Sequence, residues 1–217
     1  MRCKLLILTF VLLVVLGCKD DTTVEKTYYP DGTLRTEISM KDGVMHGPYT
    51  LYHPNGRKEI TVNYVNGVAE GLYASFLFKG VKQEETYYAG GKREGVSRIY
   101  NDFGNIHKEM HYINDTLNGD YIEYYDLGEI YVLGQYKNGK RDGAWSFWER
   151  YGEKIAEGRF VDGKGTIISY DENGKAISET PFIDDKRNGV EKFYNADGKL
   201  IEEACFEDDI EISRKVY

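Results

Sequence analysis

The stretch from residue 52 to residue 73 decides the fold. It begins with Tyr52-His53-Pro54-Asn55-Gly56, continues through Tyr64-Val65-Asn66-Gly67 and ends with Gly71-Leu72-Tyr73. Between the two Asn-Gly pairs, even and odd positions differ in character; the even positions are Lys58, Ile60, Val62 and Tyr64. A period of two predicts a strand with one buried face, and Asn-Gly pairs favour tight hairpin turns. The stretch therefore predicts a β-hairpin.

The same pattern recurs along the rest of the chain. Each repeat has a leading glycine at intervals of 24 residues, with one interval of 22; these are Gly32, Gly56, Gly80, Gly104, Gly128, Gly152, Gly174 and Gly198. An aromatic residue stands four positions before each of them, namely Tyr28, Tyr52, Phe76, Tyr100, Tyr124, Trp148, Tyr170 and Tyr194. We call these eight residues the leading column. The chain is therefore an array of about eight hairpin units.

Three further positions repeat with the leading glycine. The second column lies eight residues after it and consists of Met40, Tyr64, Tyr88, Tyr112, Tyr136, Phe160, Phe182 and Phe206. A second turn follows, with Gly at most units and Asp at Asp115, Asp185 and Asp209. A third glycine comes fifteen residues after the leading one; in the short unit Gly165 is expected to replace it. Asn and Asp tolerate the left-handed backbone of such turns, so the Asp positions fit the pattern.

One hairpin has too small an apolar face to be stable in water, and stacked units solve this by covering one another. We expect the two aromatic columns to pile up in register and to form the core. The predicted fold is all-β: an elongated, twisted antiparallel sheet of sixteen strands, which would span about 75 Å.

The pattern resembles the MORN-repeat family, and most closely its bacterial variant. The segments that carry the resemblance are those from 52 to 73, together with Tyr136-Lys137-Asn138-Gly139 and Gly143-Ala144-Trp145. The resemblance covers residues 28–217 and implies a sheet of consecutive hairpins. The last unit departs most, with Ser213 in place of the third glycine. Relatives of this variant are often labelled antitoxins, so the resemblance also implies toxin neutralisation as one function.

The first residues differ in composition from the array. Arg2 and Lys4 precede an apolar run from Leu5 to Leu16, which is too short to span a membrane and fits a helical signal peptide. The run ends at Gly17-Cys18, which resembles the lipobox of bacterial lipoproteins. We therefore predict a signal peptide over residues 1–17 and a lipid, palmitate included, on Cys18.

The segment 18–27 is predicted to be a polar linker between the lipid and the array at 28–217. Its Lys19-Asp20-Asp21 resembles the signal that exports some lipoproteins to the cell surface, although an ordinary solvated linker would look the same. We predict a lipid anchor at the bacterial outer membrane, with the periplasmic and surface sides both open. Cleavage before Cys18 removes Arg2 and Lys4, so the formal charge changes from −8 to −10. Such an acidic chain is not expected to bind nucleic acid.

The sequence offers little material for catalysis. His107 and His111 have a spacing that binds zinc on a helix, but their place in the repeat predicts a strand, where they lie ~13 Å apart. Asp184-Asp185 and Asp208-Asp209 fall in second turns, and Cys205 has no cysteine left for a disulfide in the mature chain. Signal and repeats use the whole chain. We predict a protein that is not an enzyme, with no catalytic residue, metal or cofactor.

The remaining hypothesis is binding. Further tyrosines and a tryptophan lie outside the two columns, and some of them must be exposed, where they favour interfaces; among them are Tyr29, Tyr49, Tyr73, Tyr87, Tyr121, Tyr125, Tyr131 and Trp145. The sequence therefore predicts a binding or scaffold module for a protein or glycan. The alternatives are an antitoxin-type protein and association of the repeats with a membrane surface, which the net charge opposes.

Overall fold

The computed structural model describes residues 22–217. The predicted signal-peptide helix, Cys18 and Lys19-Asp20-Asp21 lie outside the described residues. Within them the chain is all-β, as predicted, and forms one sheet of 18 strands. The strands are β1 Thr23–Tyr28, β2 Leu34–Lys41, β3 Val44–Tyr52, β4 Lys58–Val65, β5 Val68–Phe76, β6 Lys82–Ala89, β7 Lys92–Tyr100, β8 Ile106–Ile113, β9 Thr116–Tyr124, β10 Ile130–Lys137, β11 Lys140–Trp148, β12 Lys154–Val161, β13 Lys164–Tyr170, β14 Ala176–Ile183, β15 Lys186–Arg187, β16 Gly189–Tyr194, β17 Leu200–Glu207 and β18 Ile210–Val216.

The strand order follows the sequence. Each strand pairs antiparallel with its neighbours in the chain, and β14 pairs with both β15 and β16, which together make one interrupted strand. With β15 and β16 counted as one strand, the sixteen predicted strands are β2 to β18. The additional strand β1 pairs with β2 and begins at Thr23, so the sheet starts inside the segment predicted as linker.

The second turn of every unit has two successive residues with positive φ, as hairpins of the I′ type require. Asn66 and Gly67, for example, have φ values of 50° and 80°. The Asn-Gly and Asp-Gly pairs of the first turns differ from the prediction, because only their glycine has positive φ; Gly56 is at 79° and Asn55 is not in that region. In these turns the amide of Gly56 donates to the carbonyl of His53, so the loop is longer and needs one left-handed residue at its end.

A β-bulge follows each first turn and corrects the predicted alternation. Leu51 pairs with Ile60 and Tyr52 pairs with Lys58, so Glu59 is the extra residue. A bulge leaves two residues facing one and shifts the side chains that follow it. Lys58 therefore shares a face with Tyr52 and not, as predicted, with Ile60.

The short unit lacks the second bulge of the repeat. In a full unit the register of the second turn's two strands shifts by two residues near the third glycine, as between β4 and β5. In the short unit β12 and β13 pair without a shift. The prediction that Gly165 takes the place of the third glycine is wrong: its φ is not positive, and a Cβ there would lie 2.4 Å from the carbonyl oxygen of Arg159. Gly165 is needed for close packing on Phe160, not for a turn.

Candidate binding face

The two aromatic columns lie on opposite faces of the sheet, so the prediction of a shared core is wrong. Phe160 of the second column and Glu157 are three residues apart on β12, and side chains alternate between faces along a strand. The hydroxyl of Tyr170, a member of the leading column, donates to Glu157 at 3.0 Å. The leading column is therefore on the face away from Phe160. The spacing between aromatic positions that lie on different strands does not show which face each of them occupies.

The second column packs instead against a third column, seven residues before the leading glycine. Its aromatic members are residues that the sequence left over as surplus; they are Tyr49, Tyr73, Tyr121 and Trp145. Ring centroids lie 6.0 Å apart for Tyr73 and Tyr88, and 5.2 Å apart for Tyr136 and Trp145. Trp145 is 3% exposed and Phe160 1% exposed, and with Val132 they form the core. We call this side, with the second and third columns, the aromatic face.

The opposite side carries a series of tyrosine–glutamate hydrogen bonds, and we call it the tyrosine–glutamate face. A leading-column tyrosine bonds a carboxylate five residues after the previous leading glycine. Tyr124 donates to Glu109 at 2.9 Å and Tyr52 donates to Glu37 at 3.3 Å. Burial and the neighbouring Glu109 raise the pKa of Tyr124 to about 12. Where they occur, these bonds link one unit to the next.

The two positions change together along the chain. The leading column has Phe76 and Trp148 where it lacks tyrosine, and the corresponding carboxylate positions are then Thr61 and Leu133. The other five pairs of positions combine tyrosine with glutamate, and Tyr28 is outside the comparison because it is the first member of the column. An unpaired carboxylate beside a ring would lose a hydrogen bond while remaining partly desolvated. The covariation inside one chain indicates that the hydrogen bond, and not the ring alone, is the repeated feature.

Arginine side chains explain the aspartates of the second turns. Where the turn has Asp115, Asp185 or Asp209, an arginine from an earlier turn reaches it. The Arg141 Nε lies 2.8 Å from the Asp185 carboxylate, and its guanidinium lies 4.1 Å and 4.3 Å from the ring centres of Phe160 and Phe182. These Arg–Asp pairs stack a cation on the aromatic face and hold it with a carboxylate. The sequence analysis explained these aspartates by the backbone of the turn alone and did not predict that they pair with arginine.

A cavity of about 450 Å³ opens on the aromatic face between β4 and β7. Its floor is a row of directly paired residues across four strands, in the order Ile60, Ser75, Glu84 and Ile99. The small Ser75 leaves the space. Tyr73 and the exposed Phe78 stand at its sides, and the rest of the lining is His53, Glu59, Phe76, Leu77 and Gln83. We call it the Glu84 cavity.

The polar groups of the Glu84 cavity are fixed by the sheet. The His53 Nε2–H donates to the carbonyl oxygen of Phe76 at 2.8 Å, and its Nδ1 lies 3.5 Å from the Glu59 carboxylate. The Thr86 hydroxyl donates to Glu84 at 2.9 Å. Burial raises the pKa of Tyr73, and the carboxylates of Glu84 and Glu59 raise it further. The cavity therefore combines aromatic walls with negative potential.

A second cavity of about 400 Å³ lies on the same face between β10 and β14, and we call it the apolar cavity. Its floor includes the small residues Ala156 and Ser169, which belong to the same cross-strand row. Its walls are largely apolar, formed by Tyr131, Phe147, Ile155, Ile167 and Ile177, and Glu149 and Tyr170 complete the lining. Six strand spacings separate the two cavities, or about 29 Å.

Four consecutive first turns carry exposed apolar side chains at their tips; these are Phe78, Phe103, Leu127 and Tyr151. The neighbouring units have polar tips. Of the surplus aromatics that the sequence placed at the surface, Tyr87 and Tyr131 are exposed, while Tyr29 and Tyr125 are partly buried beneath the turns. Their hydroxyls donate to the carbonyls of Tyr52 and Trp148 in the next unit.

The other residues considered from sequence lie apart from these cavities. His107 and His111 are on strand β8, as predicted, and bond the carbonyls of Tyr124 and Asp120. Cys205 is a half-buried free thiol between Ala204 and Phe206. Residues 22–217 hold no group of three or more His, Cys, Asp or Glu side chains that could bind a metal. The same residues include no helix long and apolar enough to cross a membrane.

The fold and its columns define a repeat protein built of consecutive β-hairpins. The chain belongs to the MORN repeat variant family, whose model matches five segments that make up half of the chain; the segments are 22–42, 45–66, 93–114, 117–138 and 187–208. The matched segments each contain the second-column residue of one unit and end at the first residue of its second turn. Residues 67–92 and 139–186, which include the short unit, lie between them.

No curated protein matches the chain. Among solved structures, part of the chain matches the crystal structure of a GtfA/B complex bound to UDP and GlcNAc, with 13% identity and a TM-score of 0.23. The match covers 49% of this chain and 21% of that one. The chain therefore spans about a fifth of the length of that structure.

Proposed function

We propose that the protein is a non-enzymatic, lipid-anchored binding module of the bacterial envelope, and that its partner lies along the aromatic face. The observation that carries the proposal is the placement of two cavities on one face, about 29 Å apart. Repeat proteins bind partners through such extended surfaces, to which each unit contributes a few side chains. A protein is the preferred partner, because the apolar cavity and exposed Tyr131 suit the buried anchors of protein interfaces.

Site-specific photo-crosslinking in the cells that produce the protein tests this. A photoreactive residue is placed at Ser75 or Ser169, one on the floor of each cavity, and at Ser146 on the tyrosine–glutamate face as control. We expect a discrete, protease-sensitive adduct from the two cavity positions and not from Ser146. Equal adducts from all three positions would contradict a binding face, and adducts sensitive only to glycosidase would identify a glycan partner.

The lipid anchor at Cys18 is tested separately. Radiolabelled palmitate is expected to label the full chain but not a Cys18→Ala form. Protease added to intact cells then distinguishes the two sides of the outer membrane: digestion of the anchored protein indicates the surface, and protection indicates the periplasm. An unlabelled wild-type chain would end the proposal of anchoring.

Association with a lipid surface is a second candidate, and the four apolar turn tips favour it. They lie on consecutive units, about 10 Å apart, and could enter a membrane surface together. The acidic charge opposes anionic lipid. Flotation of the Cys18→Ala chain with phosphatidylcholine vesicles tests it, against a form with serine at Phe78, Phe103, Leu127 and Tyr151. Equal flotation of both forms, or none, removes this candidate.

Toxin neutralisation is a third candidate, favoured by the acidic Glu84 cavity, which would suit a cationic toxin. The test is growth of cells that express a toxic neighbouring gene, with and without this chain. Failure of the chain to restore growth would remove the antitoxin function.

A further inference from the structure

The Glu84 cavity contains a carboxylate that no cation of residues 22–217 pairs with. Along the same cross-strand row, Lys108 and Glu123 face each other and pair at 2.8 Å. Glu84 accepts only the Thr86 hydroxyl, and no lysine, arginine or histidine nitrogen within residues 22–217 lies within ion-pair distance of it. A half-buried carboxylate gains from a cation more than an exposed one does, since less water screens the pair.

The protein itself shows what kind of cation its aromatic face accepts. At the second turns, Arg93 stacks 4.0 Å from the ring centre of Tyr112 and pairs with Asp115 at 3.1 Å. Arg141 and Arg187 repeat this arrangement on Phe160 and Phe206. Each of these sites has three parts, which are a ring, a carboxylate and a guanidinium.

The Glu84 cavity has the first two parts and lacks the third. Tyr73 and Phe78 supply rings, and Glu84 and Glu59 supply carboxylates. Its volume of about 450 Å³ exceeds what a single guanidinium needs, so the stem of the side chain also fits. A planar guanidinium can stack on a ring and bond a carboxylate at the same time, whereas an ammonium is a more strongly hydrated point charge.

We propose that the Glu84 cavity binds an arginine side chain presented by a partner protein. This rests on the proposed function, for which it names the chemistry that one cavity recognises. The arginine would lie between Tyr73 and Phe78 with its guanidinium toward Glu84, and the apolar cavity would take a second anchor of the same partner.

Nuclear magnetic resonance with short peptides tests the proposal on the full chain in detergent. The probe is acetyl-Gly-Ser-Arg-Ser-Gly-amide, and the matched peptide has citrulline, which keeps the shape and removes the charge. We expect saturable shifts at Ser75, Tyr73 and Glu84 with the arginine peptide, and at least tenfold weaker binding with citrulline. Glu84→Gln should weaken arginine binding at least tenfold, while Glu172→Gln, which removes an exposed carboxylate from a distant turn, should not.

Three outcomes would overturn the assignment. One is equal binding of the citrulline or lysine peptide, the second is equal loss in both glutamine variants, and the third is tighter binding of a neutral disaccharide to the same residues. Because glutamine at 84 can still accept the Thr86 hydroxyl, the fold should persist; Ser75→Phe, which fills the cavity, gives an independent check. If the arginine peptide does not bind but a photoreactive residue at Ser169 still gives adducts, the arginine proposal is wrong and the proposed binding face stands.

Discussion

Trp145 and Trp148 stand three residues apart on β11, on opposite faces of one sheet. Trp145 is buried, and it contacts Tyr121, Tyr136, Phe147 and Phe160. Trp148 is half-buried, and the exposed Leu133 occupies the corresponding carboxylate position, on the face that tyrosine–glutamate bonds stabilise in five other places. The aromatic face is stabilised by burial of rings, and the other face by hydrogen bonds between units. Equal spacing in the sequence thus conceals two different kinds of stabilisation.

The largest expected effect separates these two tryptophans. Trp145→Ala should lower the free energy of unfolding by about 3–5 kcal/mol, because it leaves a cavity at a fully packed site. Trp148→Ala removes a half-exposed ring and should cost less than half of that. Urea unfolding followed by far-ultraviolet circular dichroism measures both. Equal losses would show that the two faces are not energetically distinct.

The next effect concerns the cation held on the aromatic face. Asp185→Asn removes the charge that pairs with Arg141 and should cost about 1.5–3 kcal/mol, the range for hydrogen bonds to charged groups. Asp184→Asn is the matched control in the same turn, since Asp184 is exposed and pairs only with Lys140. Its loss should stay within about 1 kcal/mol. The same unfolding experiment compares them, and a reversed order would contradict the role given to Arg141.

The tyrosine–glutamate face should respond to acid. Burial alone would raise the pKa of Glu85, but hydrogen bonds from Lys82, Tyr100 and Arg98 outweigh it and lower the pKa to about 2. Because the pKa of Glu85 is lower in the folded state, its carboxylate stabilises the fold at pH values above the unfolded-state pKa of 4.5. This contribution is lost as the pH falls toward 2. Unfolding free energy measured from pH 5 to pH 2 should therefore fall less in Glu85→Gln than in wild type, by about 1–2 kcal/mol. An unchanged pH profile would count against the network.

The stability of the same face should also change in base, because the pKa of Tyr100 is raised whereas that of Glu85 is lowered. Burial and Glu85 raise the pKa of Tyr100 to about 12, so its contribution is complete below pH 10 and is lost as pH rises toward 12. Tyrosinate absorbance during a pH titration should show Tyr100 ionising later in wild type than in Glu85→Gln. Identical titrations would mean that burial alone holds the proton.

The smallest expected effect comes from substitutions that introduce a missing tyrosine–glutamate hydrogen bond. Thr61 and Phe76 are one of the two pairs of positions that lack the bond, and Thr61→Glu with Phe76→Tyr should restore it. The coupling between the two substitutions should be about 0.5–1.5 kcal/mol in a double-mutant cycle. The single Thr61→Glu form, with a carboxylate beside phenylalanine, should be less stable than wild type. Zero coupling would indicate that the covariation has no energetic basis.

The sequence could predict the hairpins because their signals are local. Positive φ at Asn66 and Gly67 follows from what those two residues allow, and period-two alternation follows from strand geometry. The register of 24 residues, the strand position of His107 and His111, and the membership of the family all depend on such signals. The bulge at Glu59 breaks the alternation by one residue, and for that reason the face of Lys58 could not be read from spacing.

The candidate site could be predicted only in part. Exposed aromatics were expected at the surface, and Tyr131 is one of them, but Tyr73 and Trp145 from the same set belong to the core. The Glu84 cavity depends on Ser75 replacing larger residues in a row that crosses four strands. In the sequence, Ser75 belongs to a column five residues before each leading glycine. That column could not be recognised as a cavity floor until the structure showed which face it lies on.

The sequence by itself determined the units, their turns and their order, because each of these depends on residues within one hairpin. The tertiary structure alone decided which columns share a face, which aspartates receive an arginine 22 or 44 residues away, and where a cavity opens. These outcomes depend on the twist and bulges of neighbouring strands and on side chains brought together from different units, and no single repeat contains that information.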